Sequence, residues 1–344
     1  MAKVGEETAI CYPQGVEEGD EEVVADMLYI KPDGRAVRPT APLVPANSDF
    51  LNGVASKDVD IDSENGLWGR IYLPESVGKK GPDVKVPVLV SFHGGGFCVM
   101  SPDNSFFTYL CEDVARVSEV VVISMSYRLA PEHRLPAAYD DAFTSTLWLQ
   151  KQAELQAKGE GGEPWLVKHA DFSKCFVMGE SAGGNIVHHL SIRLANTNLN
   201  PLSIRGLIFL VPWFAKEERS ESEQLYGTVD PIGPSKLLDR FWELALPVGA
   251  NRNHPYSSII FGPDHDQETS NATSELPLSK ALIIVGSKDP LYDHQVEYSN
   301  ALRSAGRNVQ LVEVPEGGHG FRFFPEFASQ VRRVEQSIRA FIHS

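Results

Sequence analysis

A chain of 344 residues is long enough for a sizeable core in one large α/β domain or two ordinary ones, and 42% hydrophobic with 22% charged residues excludes a largely disordered protein. With 46 acidic against 31 basic residues the net charge is −15, and no basic stripe interrupts it, so nucleic acid is not an expected partner. No apolar run approaches the ~20 residues that span a bilayer, so no membrane partner is expected either.

The N-terminus, Met1-Ala2-Lys3-Val4-Gly5-Glu6-Glu7, lacks the apolar core of a signal peptide. Cys11, Cys98, Cys111 and Cys175 have neither metal-type nor disulfide-type spacing. Together these point to a cytoplasmic protein with reduced thiols. The acidic run Glu17–Glu22 reads as a solvated, mobile stretch. Residues 1–55 have no regular strand–helix rhythm and are read as an N-terminal cap segment. Residues 56–344 are read as one α/β domain.

Trp68–Leu73 alternates apolar and polar residues, as an early antiparallel strand would. Continuous Val/Ile/Leu runs follow at Val86–Phe92, Val120–Ser126, Cys175–Met178, Ile204–Val211, Ala281–Val285 and Val309–Val314. Such runs are expected of parallel strands covered on both faces. Helical spacing separates them at Asn104–Ser118, Ala137–Ala157, Ala182–Ala195, His294–Ala305 and Glu326–Ile342, with Gly306 placed to stop the fourth. The fold class is therefore α/β: a central, mostly parallel sheet flanked by helices. Residues 212–279 break the rhythm. An insertion after a strand lies over the carboxyl edge of such a sheet, where ligands bind, so this one is read as a lid. It carries the glycosylation-type triplet Asn271-Ala272-Thr273, which means nothing without secretion.

Gly179-Glu180-Ser181-Ala182-Gly183 runs from a strand into a helix. This is the context in which a serine is exposed on a tight turn as a nucleophile, and glycines are needed where neighbouring backbone leaves no room for side chains. A capped turn would look the same in isolation, but further motifs accompany it. His93-Gly94-Gly95-Gly96-Phe97 follows a strand and offers bare N–H groups to an oxyanion: Gly94, Gly95 and Gly96, together with Ala182, are the expected donors. The serine needs a base. Of ten histidines, His319 lies in a glycine frame between the last strand and the last helix. His188 and His189 sit about two helical turns beyond Ser181 and point away, His93 braces its own loop, and His133 reads as a loop residue. His169, His254, His265 and His343 have no supporting pattern. The orienting acid falls between serine and histidine in chain order, which selects Asp289, with Asp293 as the rival and N-cap as its plainer role.

Phe97, Trp213, Phe241 and Trp242 are the aromatic residues expected to contact substrate, although such residues more often belong to a core. No phosphate loop or zinc-binding helix is present in the sequence, so neither cofactor nor metal is expected.

Taken as an ordered set, His93-Gly94-Gly95-Gly96-Phe97, Tyr127-Arg128-Leu129-Ala130-Pro131-Glu132, Gly179-Glu180-Ser181-Ala182-Gly183-Gly184-Asn185, Asp289-Pro290-Leu291 and His319-Gly320-Phe321 resemble the hormone-sensitive-lipase group of α/β-hydrolases, plant carboxylesterases in particular. Ile30-Lys31-Pro32-Asp33-Gly34-Arg35 is similar to the segment that caps those enzymes' pockets. The resemblance implies the α/β-hydrolase fold and ester hydrolysis by a Ser-His-Asp triad; small to medium hydrophobic esters are the expected substrates and a monomer or weak homodimer the expected form. Many plant members carry Asp where this chain has Glu180. The same family includes soluble gibberellin receptors, in which the triad histidine is lost, so a hormone-binding receptor or hormone-hydrolysing protein is the alternative.

Overall fold

The computed structural model describes residues 22–25, 27–39, 42–81, 84–258 and 280–344. The acidic residues 17–21, Cys11, His265 and the Asn271-Ala272-Thr273 triplet lie outside the described residues.

The apolar runs pair as one eight-stranded sheet of Val54–Asp62 (β4), Leu67–Pro74 (β5), Val86–Phe92 (β6), Val121–Met125 (β7), Ala170–Glu180 (β8), Ile204–Leu210 (β9), Lys280–Gly286 (β10) and Asn308–Val314 (β11). Its spatial order is β11-β10-β9-β8-β6-β7-β5-β4. Strands β6 to β11 are parallel, while β5 runs antiparallel to both β4 and β7. Two strands differ from the sequence expectation. Strand β8 starts at Ala170, because Ala170 and Asp171 pair with Val86 and Pro87 before the ladder shifts register; exposed Ser173 and Lys174 interrupt its apolar run and hide this start. Strand β4 is an edge strand whose second half, Lys57 to Asp62, is largely polar, so it has little apolar signature.

Because side chains alternate across a strand, the sheet supports two cores. Val88, Val90 and Phe92 face one, with helices Ala137–Lys158 (α3), Ala182–Leu194 (α5) and Tyr292–Ser304 (α8). Leu89 faces the other, with Ser105–Ser118 (α2) and Ala328–His343 (α9). The helix ends follow local chemistry: the Asn104 side chain accepts the Phe106 N–H (3.1 Å) at the start of α2. Gly306, at φ 77°, follows the end of α8 as anticipated.

Within the insertion, Glu221–Tyr226 (α6) opens on a reciprocal cap between Ser220 and Glu223, and Ser235–Ala245 (α7) follows. The N-terminal segment forms a small sheet of Glu22–Ala25 (β1), Leu28–Ile30 (β2) and Ala36–Val37 (β3). Glu22 forms a two-pronged ion pair with Arg240 of α7 (2.6 and 2.7 Å). The described pieces of the N-terminal segment and the insertion thus touch each other.

Candidate active site

Strand β8 ends at Glu180 and α5 begins at Ala182, leaving Ser181 alone to make the turn. It does so at φ 54° and ψ −116°, a backbone conformation that costs a residue with a side chain about 1–3 kcal/mol. The turn is this tight because helix and strands touch. A Cβ on Gly183 would lie 2.1 Å from the Phe92 carbonyl oxygen, and one on Gly179 2.1 Å from that of Gly183. The strain lifts Ser181 Oγ off the end of the sheet.

There Ser181 Oγ lies 2.8 Å from His319 Nε2. His319 Nδ1 lies 2.9 Å from Asp289 Oδ2. The fully buried Asp289 also accepts the Leu291 N–H (2.8 Å) and the Gln295 side-chain amide (2.9 Å), which fix the carboxylate plane. With Nδ1–H donating to Asp289, the Nε2 lone pair is left to accept the Ser181 hydroxyl proton. Asp293 does not share this arrangement. It sits inside the first turn of α8 rather than capping it, and its carboxylate accepts the Ser222 N–H (2.8 Å), tying α6 to α8.

Burial opposes charge on His319. The Asp289 carboxylate, by its field and its hydrogen bond, more than offsets this, and Asp230 and Glu180 add to it, so the imidazole pKa is raised to about 9. His93, His188 and His189 shift the other way. Burial lowers His93 to about 4 and His189 to about 3, and drives His188 well below the ordinary value. His93 Nδ1–H braces its own loop by donating to the Gly94 carbonyl (2.8 Å).

The glycine loop is oriented through its carbonyls. The Tyr127 hydroxyl donates to the carbonyls of His93 (2.9 Å) and Gly94 (3.2 Å), and the Gly95 carbonyl accepts from Cys98 and Val99 N–H (both 3.0 Å). In a trans peptide the N–H points opposite the C=O, so the N–H groups of Gly94, Gly95 and Gly96 point away from these anchors. By the same logic, the Ser181 carbonyl, held by Asn185 and Trp213 N–H, turns the Ala182 N–H the other way. Gly94, Gly95, Gly96, Ser181 and His319 line one cavity.

Its remaining wall is largely apolar: Met27 from the N-terminal segment, Phe107 from α2, Phe323, and Ile232, Leu237, Leu238 and Phe241 from the insertion. Phe241 lies so close that a Cβ on Gly96 would be 2.3 Å from its ring. The other three aromatic residues expected at the substrate do not line this cavity. Trp213 and Trp242 stack with centroids 4.0 Å apart, Phe97 packs 5.7 Å from each, and all three are almost fully buried. They form a core between Trp213 and Trp242 of the insertion, the latter within α7, and Phe97 of the glycine loop, because the insertion must bury its own apolar surface against the domain. Glu180 also reaches the cavity and is held by Arg322, whose Nε lies 2.8 and 3.0 Å from its two oxygens.

Sequence reasoning missed Tyr127, Gln295, Asp230 and the Glu180–Arg322 pair as supports. Tyr127 belongs to a recognised motif, but nothing local gave it a role. No group of three or more His, Cys, Asp or Glu residues able to hold a metal occurs among the described residues. None of the described helices is long and apolar enough to cross a membrane.

Comparison with known proteins agrees with this architecture. The α/β-hydrolase-fold family matches residues 89–323, and a carboxylesterase family matches residues 38–131. The chain is 37% identical over 321 residues to Carboxylesterase 20 of Arabidopsis thaliana, covering 91% of this chain and 94% of that protein. It is 33% identical to a gibberellin receptor of the same plant, over 92% of this chain and 90% of the receptor. Among solved structures, a hyperthermophilic esterase from the archaeon Pyrobaculum calidifontis superposes with a TM-score of 0.67 at 26% identity, covering 83% of this chain and 84% of that one. The nucleophile-type turn, the strand order and these matches together mean that the chain belongs to the α/β-hydrolase family, in the group of the plant carboxylesterases.

Proposed function

We propose that this carboxylic ester hydrolase cleaves small to medium hydrophobic esters through an acyl-enzyme on Ser181. The reading is carried by the unbroken hydrogen-bonded line from Ser181 through His319 to Asp289 beside an apolar cavity. His319 Nε2 takes the hydroxyl proton as Ser181 Oγ bonds to the ester carbonyl carbon, and the carbonyl oxygen becomes an oxyanion facing the N–H groups of Gly94, Gly95, Gly96 and Ala182. The imidazolium, stabilised by Asp289, gives its proton to the leaving alcohol as the C–O bond breaks. Water then attacks the acyl-enzyme, again with His319 as base, and releases the acid and Ser181. No cofactor or metal enters this scheme.

The apolar wall supports this substrate class. Among the described residues no lysine or arginine lines the cavity, and Glu180 there is already paired with Arg322. An ionised ligand would find no lysine or arginine there to replace its water, whereas a neutral apolar ester loses little. This also weighs against the receptor alternative for an acidic hormone, as does the presence of His319 in contact with Ser181. The expected partner is a small-molecule ester, and the expected form a cytoplasmic monomer or weak homodimer.

Turnover of p-nitrophenyl esters of increasing chain length tests the reading. The wild type is expected to hydrolyse them and Ser181→Ala to lose activity. Absent turnover in the wild type, with tight binding of a small plant acid, would support the receptor alternative instead.

A further inference from the structure

Resting on the Ser181–His319 reading above, we propose that Asp230 of the insertion is a positioning residue for His319, so that this segment holds the general base as well as walling the cavity. Asp230 follows α6 in the turn Asp230-Pro231-Ile232-Gly233 and is buried, with 7% of its surface exposed. Its Oδ1 accepts the Ile232 and Gly233 N–H groups (2.9 and 2.7 Å), which locks the turn. Its Oδ2 accepts the backbone N–H of His319 (2.9 Å). One carboxylate therefore ties the turn of the insertion to the histidine loop.

Two glycines fit the parts together. A Cβ on Gly318 would stand 2.3 Å from Asp230 Oδ2, so the carboxylate fills the space that a side chain would take. A Cβ on Gly233 would lie 3.1–3.2 Å from the His319 side chain, so the bare turn packs against the imidazole itself. A buried carboxylate bonded to a neutral amide places negative charge beside an imidazole that becomes a cation during acyl transfer.

The ionisable groups facing His319 are few. Asp289 comes from the loop after β10, Asp230 from the insertion, and Glu180, with its partner Arg322, from the end of β8. Lys288 and Glu316 pair with each other at the exposed start of the loop. Asp230 adds to Asp289 in raising the proton affinity of His319. Losing its charge therefore lowers that affinity, and the acid limb of kcat/KM, below which His319 is protonated and cannot act as base, moves to lower pH.

The test is Asp230→Asn, which keeps the shape and replaces the oxygen facing His319 N–H either by an uncharged carbonyl or by an amide that repels it. Expected are a melting temperature within a few degrees of wild type, KM within about twofold, and kcat lower by about 10- to 100-fold, the scale of a displaced catalytic group. The acid limb and the NMR titration midpoint of the His319 ring, assigned by its loss in His319→Gln, both move to lower pH. Should Asp230→Asn not fold, Gly318→Ala breaks the same contact from the other side and is expected to lower kcat likewise. Wild-type kcat in the folded variant would overturn the proposal, as would an equal loss at every pH with the His319 midpoint unmoved. If the wild type itself hydrolyses no ester, the enzymatic reading fails, while the NMR midpoint still decides the role of Asp230.

Discussion

Asp289 occupies a site in which every oxygen has a donor, and it is fully buried. Replacing it by Asn keeps the size but leaves His319 without the acceptor that sets its tautomer. Asp289→Asn is expected to lower kcat by about 10⁴-fold, a loss of the size seen when a triad acid is changed this way. Asp293→Asn, which loosens only the contact to Ser222, should leave kcat within a few-fold; equal losses from the two variants would remove Asp289 from the mechanism. The pH profile follows from the sign of the His319 shift. A base must be neutral, and the pKa of His319 is raised, so activity should fall with decreasing pH along an acid limb above the ~6.5 of an ordinary histidine. A limb at or below that value would contradict the electrostatics of the site. At this scale Ser181, His319 and Asp289, which the fold brings into one hydrogen-bonded line, were legible in the sequence because each sits in a short motif at a strand's end. Their supports were not, because they are made at long range: His93 with Tyr127, 34 positions apart; Asp230 with His319, 89 apart; Glu180 with Arg322, 142 apart. No local pattern marks such contacts.

The insertion's helices carry two further expectations. Phe241 on α7 presses on Gly96 and limits the room beside the glycine loop. Phe241→Leu keeps the core filled but shortens the wall, so the kcat/KM ratio of a bulky to an acetyl ester should rise roughly tenfold, the scale of small changes in an apolar pocket. An unchanged ratio would remove Phe241 from the specificity wall. On α6, buried Glu223 accepts bonds from His294, the Ser220 N–H, Arg219 and Arg252. Burial works against its charge, but these donors overcome it and hold the pKa down at about 2. A carboxylate with a depressed folded-state pKa stabilises the fold fully above its unfolded value, near 4.3, and this contribution is lost as pH falls towards 2. Glu223→Gln, which leaves Arg219 and Arg252 to share the single carboxylate of Asp239, is expected to lower unfolding free energy at pH 7 by about 3 kcal/mol and to flatten its dependence below pH 4.3. Chemical denaturation across that range would show a wild-type-like curve if the network were decorative. The sequence marked this region as an insertion but gave no account of its polar interior, since Arg219, Glu223, Arg252 and His294 come from separate elements.

In the whole molecule, the legible part is the parallel frame. Five of its strands, β6 to β10, are largely buried on both faces, so their sequences carry continuous apolar runs that are recognised without knowledge of the fold; β11, at the edge, is more exposed. The polar edge strand β4 and the short strands β1–β3 have no such signature. Hydrophobic content alone also could not separate Phe241, which meets the cavity, from Trp213 and Trp242, which stack in the core behind it. What the frame accomplishes is convergence: β6, β8, β10 and β11 end at the same edge of the sheet, so the glycine loop, the strained serine, the acid and the histidine meet although they are far apart in the chain. The most direct measurement is mass spectrometry of the protein after reaction with a fluorophosphonate, combined with ester turnover. The account predicts one adduct, on the peptide carrying Ser181, formed in step with loss of turnover, and neither adduct nor turnover in Ser181→Ala; an adduct on another residue, or undiminished turnover in Ser181→Ala, would contradict it.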